Sequence, residues 1–170
     1  MDTLSETYKQ LLEARLKDIS QNPETVKPIE ELFEVNILLQ ISNMDFGNTI
    51  FKHYKNRGGV YKIIAIEDGE RIPVNRFLGT DTEGVLYIGK ATSFINRVID
   101  LKKSIAPPPY KGTSHICGRR YKSIPSIAAK FPYELLYVEF FLNYTPEVKE
   151  RELLTEYINR FGEVPPLNAI

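Results

Sequence analysis

The sequence predicts an α+β fold: a small antiparallel sheet of about three strands flanked by helices, with an N-terminal helical extension. Two observations carry that reading. Three runs rich in β-branched and aromatic residues, at 60–66, 85–89 and 135–141, have the length and composition of strands. Helical apolar periodicity follows the second and the third of them, so the order is strand, strand, helix, strand, helix.

Taken in order, residues 1–20 read as an amphipathic helix, because Leu4, Tyr8, Leu11, Leu12, Leu16 and Ile19 recur at helical spacing and Thr3 or Ser5 can cap it. Asn22-Pro23 breaks it. From Ile29 to Ile41 the apolar residues fit a helix in the first half and a strand in the second. Gly47 and the pair Gly58-Gly59 bracket a short helical piece containing Phe51, His53 and Tyr54. The strand at 60–66 ends at the turn-forming Glu67-Asp68-Gly69-Glu70 and is answered by Val85-Leu86-Tyr87-Ile88-Gly89. The long connection between them, with Ile72-Pro73-Val74 and Arg76-Phe77-Leu78, is expected to add a small ribbon or lobe. Ser93 should cap a helix that buries Phe94, Ile95, Val98, Ile99 and Leu101 and stops before Pro107-Pro108-Pro109. The prolines, Gly112 and Gly118 predict a loop or partly irregular arm over 106–122. The last helix starts with Thr145 as N-cap and Pro146 at its first position, shows Val148, Leu153, Leu154, Tyr157, Ile158 and Phe161 on its apolar face, and stops at Gly162. Two regions are expected: a helical extension over 1–57, packed on the domain, and the main domain over 58–170.

A chain of 170 residues with 42% apolar content can bury one core. It contains neither an apolar run of membrane-spanning length nor a basic start followed by an apolar stretch, so no membrane association is expected. The single cysteine, Cys117, cannot form an internal disulfide, and the two histidines, His53 and His115, cannot build a zinc-ligand spacing. A cytoplasmic setting is expected. The net charge of zero hides a segregation: residues 86–122 hold eight bases against the single acid Asp100, whereas 1–40 and 134–170 each carry a net charge of −4. The basic window, with Lys90, Lys102, Lys103, Arg119, Arg120 and Lys122, suits phosphate contacts, and the acidic flanks limit indiscriminate sticking. Ser114-His115-Ile116-Cys117-Gly118-Arg119-Arg120 fits a phosphate-contacting loop, which brings His115 into the same set. Cys117 reads as a small buried residue.

The chemistry-bearing residues are spaced in a recognisable way. Gly59-Val60-Tyr61 opens one strand and Leu86-Tyr87-Ile88-Gly89-Lys90 closes the next; Arg97 follows ten positions after Tyr87 on the succeeding helix. Glu150-Arg151-Glu152-Leu153-Leu154 lies on the last helix, and Pro165-Pro166-Leu167-Asn168 ends the domain. Over about residues 58–170 this order resembles the GIY-YIG nuclease superfamily. The resemblance implies a reactive centre of Tyr61, Tyr87, Arg97 and Glu150, with Tyr61 as general base assisted by Tyr87, Arg97 on the scissile phosphate and Glu150 as the ligand of Mg2+ or Mn2+. Several members carry a histidine or tyrosine one turn after the arginine. Leu101 stands there in this chain, and His115 could take that role.

The residue types agree with phosphodiester hydrolysis. A guanidinium stays charged and can hold two phosphate oxygens, while one carboxylate suffices for a magnesium ion that keeps most of its waters. A tyrosine titrates near pH ~10, so a phenolate base would need neighbouring cations such as Lys62, Lys90 or Arg97. Glu150 is preferred as the metal ligand because Leu153 and Leu154 follow at +3 and +4 and turn it toward the sheet; Glu152 is the runner-up. The expected function is a metal-dependent endonuclease on DNA, with RNA as a further possibility, a stand-alone enzyme of a restriction, phage or mobile-element system that could act as a homodimer. The alternative is a non-catalytic nucleic-acid-binding or protein-interaction module with the same fold.

Overall fold

The computed structural model describes residues 37–55, 57–109 and 115–169. The strands are β1 (Leu38–Gln40), β2 (Gly59–Glu67), β3 (Glu70–Arg71), β4 (Val74–Arg76), β5 (Gly79–Asp81), β6 (Val85–Ala91) and β7 (Leu136–Leu142). The helices are α1 (Phe46–Tyr54), α2 (Phe94–Ile105), α3 (Ile116–Ser123), α4 (Pro125–Lys130) and α5 (Pro146–Phe161), with a 3-10 turn at Tyr133–Leu135. The fold is α+β, as expected. The helix anticipated over 1–20 and the first half of the 29–41 segment lie outside the described residues.

The sheet is antiparallel, and β2 is its centre: β7 pairs along one side of it, β6 along the other, and β1 lies outside β7. That makes four strands in the main layer where about three were expected. β3 folds back as a hairpin onto the end of β2, and β4 with β5 forms a separate two-stranded ribbon in the long connection. β1 is the strand half of the segment ending at Ile41. The compact unit holding this sheet begins at Val35, so it takes β1 and α1 from before residue 58, where the sequence placed a boundary.

Period-two alternation sends the two sides of the sheet into different cores. Tyr61, Ile63, Ala65 and Tyr87 face α1, α2 and α3 with Leu136, Val138 and Phe140, and Tyr54, Phe94 and Phe140 meet there as rings about 5 Å apart. Val60, Ile64 and Ile88 face the other way, onto Leu153, Leu154, Tyr157 and Phe161 of α5. The apolar face of α5 is narrower than its sequence suggests: Val148 and Ile158 are exposed. Gly162 ends this helix in the left-handed conformation, as expected.

The clearest departure is α3, which replaces the irregular arm expected over 106–122. The glycine that argued for a loop is a close-packing residue. A Cβ on Gly118 would fall 1.9 Å from Ser104 Oγ, so only glycine lets α3 approach α2 this closely. Cys117 and Tyr121 are buried beside it, and the Tyr121 hydroxyl donates to the Phe131 carbonyl at 2.8 Å. Tertiary packing thus overrides the local breaker signal.

Candidate active site

Tyr61 and Tyr87 lie on neighbouring strands and point to the same side of the sheet. The register pairs Tyr61 with Gly89 and Ile63 with Tyr87, so the tyrosines are diagonal neighbours whose rings are 5.9 Å apart. Gly89 makes room for both: a Cβ there would stand 2.4 Å from Tyr87 Cε1 and 2.8 Å from the Tyr61 hydroxyl. β6 has no strand on its outer side. The C-terminal segment covers that edge instead, because Leu167 N donates to the Leu86 carbonyl, Asn168 Nδ2 donates to the Ile88 carbonyl at 2.8 Å, and Ile88 N donates to Asn168 Oδ1 at 2.9 Å. Leu167 and Asn168 together therefore hold the residues on either side of Tyr87 as a partner strand would.

Arg97, on the second turn of α2, brings its guanidinium beside both phenols. From α3's start comes His115, 2% exposed, with Nε2 at 3.1 Å from the Tyr61 hydroxyl and its ring edge-on to Tyr87. Cys117 is fully buried next to this group. Four elements, β2, β6, α2 and α3, thus converge on one polar cluster whose phenols and imidazole are buried and whose guanidinium, on Arg97, is exposed.

Burial dominates its electrostatics. The Tyr61 phenol is held well above its ordinary range, first by desolvation and then by Tyr87, with Arg97 opposing. Tyr87 is pushed up to about 12, again mainly by burial; Arg97 lowers it and the Glu150 carboxylate raises it. His115 is pushed down to about 4 by burial and, secondarily, by the Arg97 charge, so it is a neutral imidazole at pH 7. Cys117 is held far above its usual range by burial, which removes it as a nucleophile. The phenolate form that a base would need is thus disfavoured in the resting protein, because desolvation outweighs Arg97.

Glu150 stands at the rim of this group, 20% exposed and paired with Lys90 at 3.1 Å. Its charge acts on Tyr87 across the sheet edge. Glu152 is 61% exposed and pairs with Lys149 along the helix surface. Among the described residues no three histidine, cysteine or carboxylate side chains converge as a metal cage. A divalent ion here would rest on Glu150 with water filling most of its shell, which is the habit of magnesium.

An open cleft of about 350 Å³ leaves the cluster at Arg97 and runs along Lys90, Thr92, Ser93 and Asn96 to Glu147 at the start of α5. Ser93 makes no side-chain cap bond to α2, contrary to expectation, and its buried Oγ has no hydrogen-bond partner among the described residues.

The residues expected to contact nucleic acid divide into two groups. Lys103, Arg119 and Lys122 are exposed. Lys102 donates to the Asn43 carbonyl at 2.6 Å and lies over the Phe46 ring, Arg120 donates to the Pro166 carbonyl at 3.3 Å, and Lys90 pairs with Glu150. His115 is no surface contact at all. The sequence placed it in a loop, whereas the packing of Cys117 and Tyr121 turns the following residues into α3 and draws it inside. The service that Gly89 renders to the tyrosine pair was not foreseen either, although its place after Tyr87-Ile88 was a signal. No helix among the described residues is long and apolar enough to cross a membrane. Comparison with models of protein families, with curated proteins and with solved structures finds no match to this chain.

Proposed function

We propose that this protein is a metal-dependent endonuclease that hydrolyses DNA phosphodiester bonds, on the strength of its motif resemblance to the GIY-YIG superfamily, with a reactive centre formed by Tyr61, Tyr87, Arg97, His115 and Glu150. The observation that carries the reading is the convergence of two buried phenols, a guanidinium and a neutral imidazole, from four separate elements, with a half-buried carboxylate at the rim. Burying two phenols and an imidazole beside one guanidinium costs stability, which a site of reaction explains better than a packing role.

In this reading the scissile phosphate docks on Arg97, whose forked donors hold two of its oxygens and meet the charge that grows on them. Tyr61 takes a proton from the attacking water while its own proton passes to His115 Nε2, 3.1 Å away. The water oxygen bonds to phosphorus, the bond to the leaving oxygen breaks, and the departing alkoxide is protonated by solvent. Burial and the Arg97 charge keep His115 neutral beforehand, and a phosphate on Arg97 offsets the second of these as the proton arrives. Tyr87 packs against Tyr61 and fixes its ring. A divalent ion on Glu150 would supply an acidified water and neutralise the leaving group. Lys103, Arg119 and Lys122 supply long-range attraction to the backbone. A stand-alone enzyme of a restriction, phage or mobile-element system, working in the cytoplasm, is the setting we favour.

Supercoiled plasmid tests the proposal. Nicking or linearisation is expected with added magnesium or manganese, and Tyr61→Phe should lose it while keeping the fold. Equal cutting in excess chelator, or by Tyr61→Phe, would sink the assignment.

A further inference from the structure

A second group of cations lies outside the basic window. Between Asp45 and Glu67 the chain carries Lys52, Lys55, Arg57 and Lys62 and no acid. Lys62 lies over the Phe141 ring on the sheet. Lys52 belongs to the last turn of α1, where a positive charge meets the helix dipole, and that is reason enough for it. Lys55 and Arg57 come after the helix has ended. Both are exposed, and neither side chain makes an ion pair or a hydrogen bond among the described residues.

Their backbone is fixed beside the reactive centre. Arg57 N donates to the Tyr54 carbonyl at 2.7 Å, and the Arg57 carbonyl accepts from Phe94 N at 2.9 Å. Phe94 is the first residue of α2, so Arg57 meets that helix about one turn before Arg97. Tyr54 and Phe94 are buried rings in edge contact, which anchors Arg57 to the core through both of its backbone groups. Gly58 extends the contact. A Cβ there would fall 2.1 Å from the Ala91 carbonyl oxygen and 2.5 Å from that of Thr92, and Ala91 and Thr92 line the cleft together with Ser93 and Arg97. The backbone at Gly58 therefore packs directly on the cleft wall.

Lys55 adds an observation of another kind. Its φ of +44° with ψ of −114° is a conformation that glycine adopts readily and a residue with a Cβ resists. For the fold alone, glycine is the better residue. Strain of this sort collects at binding positions, where the side chain it presents has a use.

We propose that Lys55 and Arg57 hold the nucleic-acid backbone next to the scissile phosphate, so that the strand passes from Arg97 across the start of α2 to the end of α1. The inference rests on the nuclease reading and adds a contact surface to it, made by residues just ahead of the Gly59-Val60-Tyr61 strand. These contacts lie outside the reacting phosphate. They therefore act alike on bound substrate and on the transition state.

The test compares the wild-type protein with Lys55→Gly, Arg57→Gln and the double variant on a short DNA duplex in chelator, so that nothing is cut. Each single change should lower the slope of log affinity against log salt by about 0.9, and the double change by about twice that. Single-turnover cleavage with magnesium at saturating protein should be unchanged. Lys55→Gly should also raise the thermal midpoint, because glycine relieves the positive φ, whereas Arg57→Gln should leave it in place. A wild-type slope in the double variant overturns the proposal and leaves the nuclease standing, and so does a Lys55→Gly protein that loses affinity only as it loses stability. Wild-type protein that binds no DNA at low salt removes both readings. A lowered slope in the variants of a protein that never cuts would keep the contact and remove the nuclease.

Discussion

The Tyr61 hydroxyl and His115 Nε2 lie 3.1 Å apart although 54 residues separate them in the chain. His115 is 2% exposed, and its Nδ1 has no hydrogen-bond partner among the described residues. A histidine so placed is kept neutral, and that has a cost in acid.

The folded-state pKa of His115, about 4, lies below the ordinary value of 6.5, so the unfolded chain binds the proton more tightly. The stability that depends on neutral His115 is therefore fully present above pH 6.5 and is lost as pH falls toward 4, by up to about 3 kcal/mol. His115→Gln can still hydrogen-bond but cannot titrate. Denaturation midpoints at pH 7, 5 and 4 should fall more steeply for the wild-type protein than for this variant. Parallel pH profiles would show that His115 is not held neutral by the fold.

Arg97→Lys keeps the charge but removes the two-donor fork. The exposed cations of the basic window carry the nonspecific attraction, so DNA affinity should stay near normal. Donors aimed at a developing oxyanion are worth on the order of 3 kcal/mol, and we expect single-turnover cleavage at least about tenfold slower. A wild-type rate would take Arg97 out of the reactive centre.

Glu150 and Glu152 lie two positions apart on α5 in different surroundings, one half-buried against Lys90 and close enough to act on Tyr87, the other out on the surface with Lys149. Glu150→Gln should abolish metal-supported cleavage with little change in thermal midpoint, and Glu152→Gln should remain active. The reverse result would move the metal to Glu152. Since Glu150→Gln also frees Lys90, DNA binding in chelator should be unchanged or tighter.

Much of this architecture could be read in advance, and the reasons differ by element. β2, β6 and β7 are β-branched and aromatic runs with turn residues around them, and α5 has proline at its start and glycine after its end; such signals are local. The nearness of Arg97 to the tyrosines was suggested by its place ten positions after Tyr87, and the inward turn of Glu150 by Leu153 and Leu154 at helical spacing. α3 was not, since what makes Gly118 helical is the closeness of Ser104, fourteen positions earlier on another helix. His115 followed it, for a side chain's burial depends on the element that carries it. The clamp of Asn168 on Ile88 spans 80 positions, and nothing in the local pattern near either residue reveals it.

Salt dependence separates the exposed cations from the engaged ones. Neutralising Lys103, Arg119 and Lys122 together should lower the slope of log affinity against log salt by roughly 2 to 3, about one counterion per lost phosphate contact. Arg120→Gln should instead lower stability, because its guanidinium holds the Pro166 carbonyl next to the segment that covers β6. An unchanged slope in the triple variant would place the DNA on another face.

Gly89→Ala tests whether the tyrosine pair works as a unit. The new methyl group would meet Tyr87 Cε1 at 2.4 Å and the Tyr61 hydroxyl at 2.8 Å, both too close, and both rings belong to a packed core. Overpacking of this kind costs about 1–3 kcal/mol, so the protein should still fold at 25 °C with a lowered midpoint. The larger effect falls on the site, because moving the Tyr61 oxygen by several tenths of an ångström disturbs its 3.1 Å contact with His115 and its place beside Arg97. We expect cleavage to drop by about a hundredfold, in line with the sensitivity of oriented reactions to displacement, while affinity in chelator is kept. The His115 imidazole resonance, followed by NMR across pH 3–7, should shift its midpoint away from the wild-type value of about 4. If cleavage and the His115 midpoint both stay at wild-type values, the rings have room that the backbone geometry denies them, and Gly89 serves β6 alone.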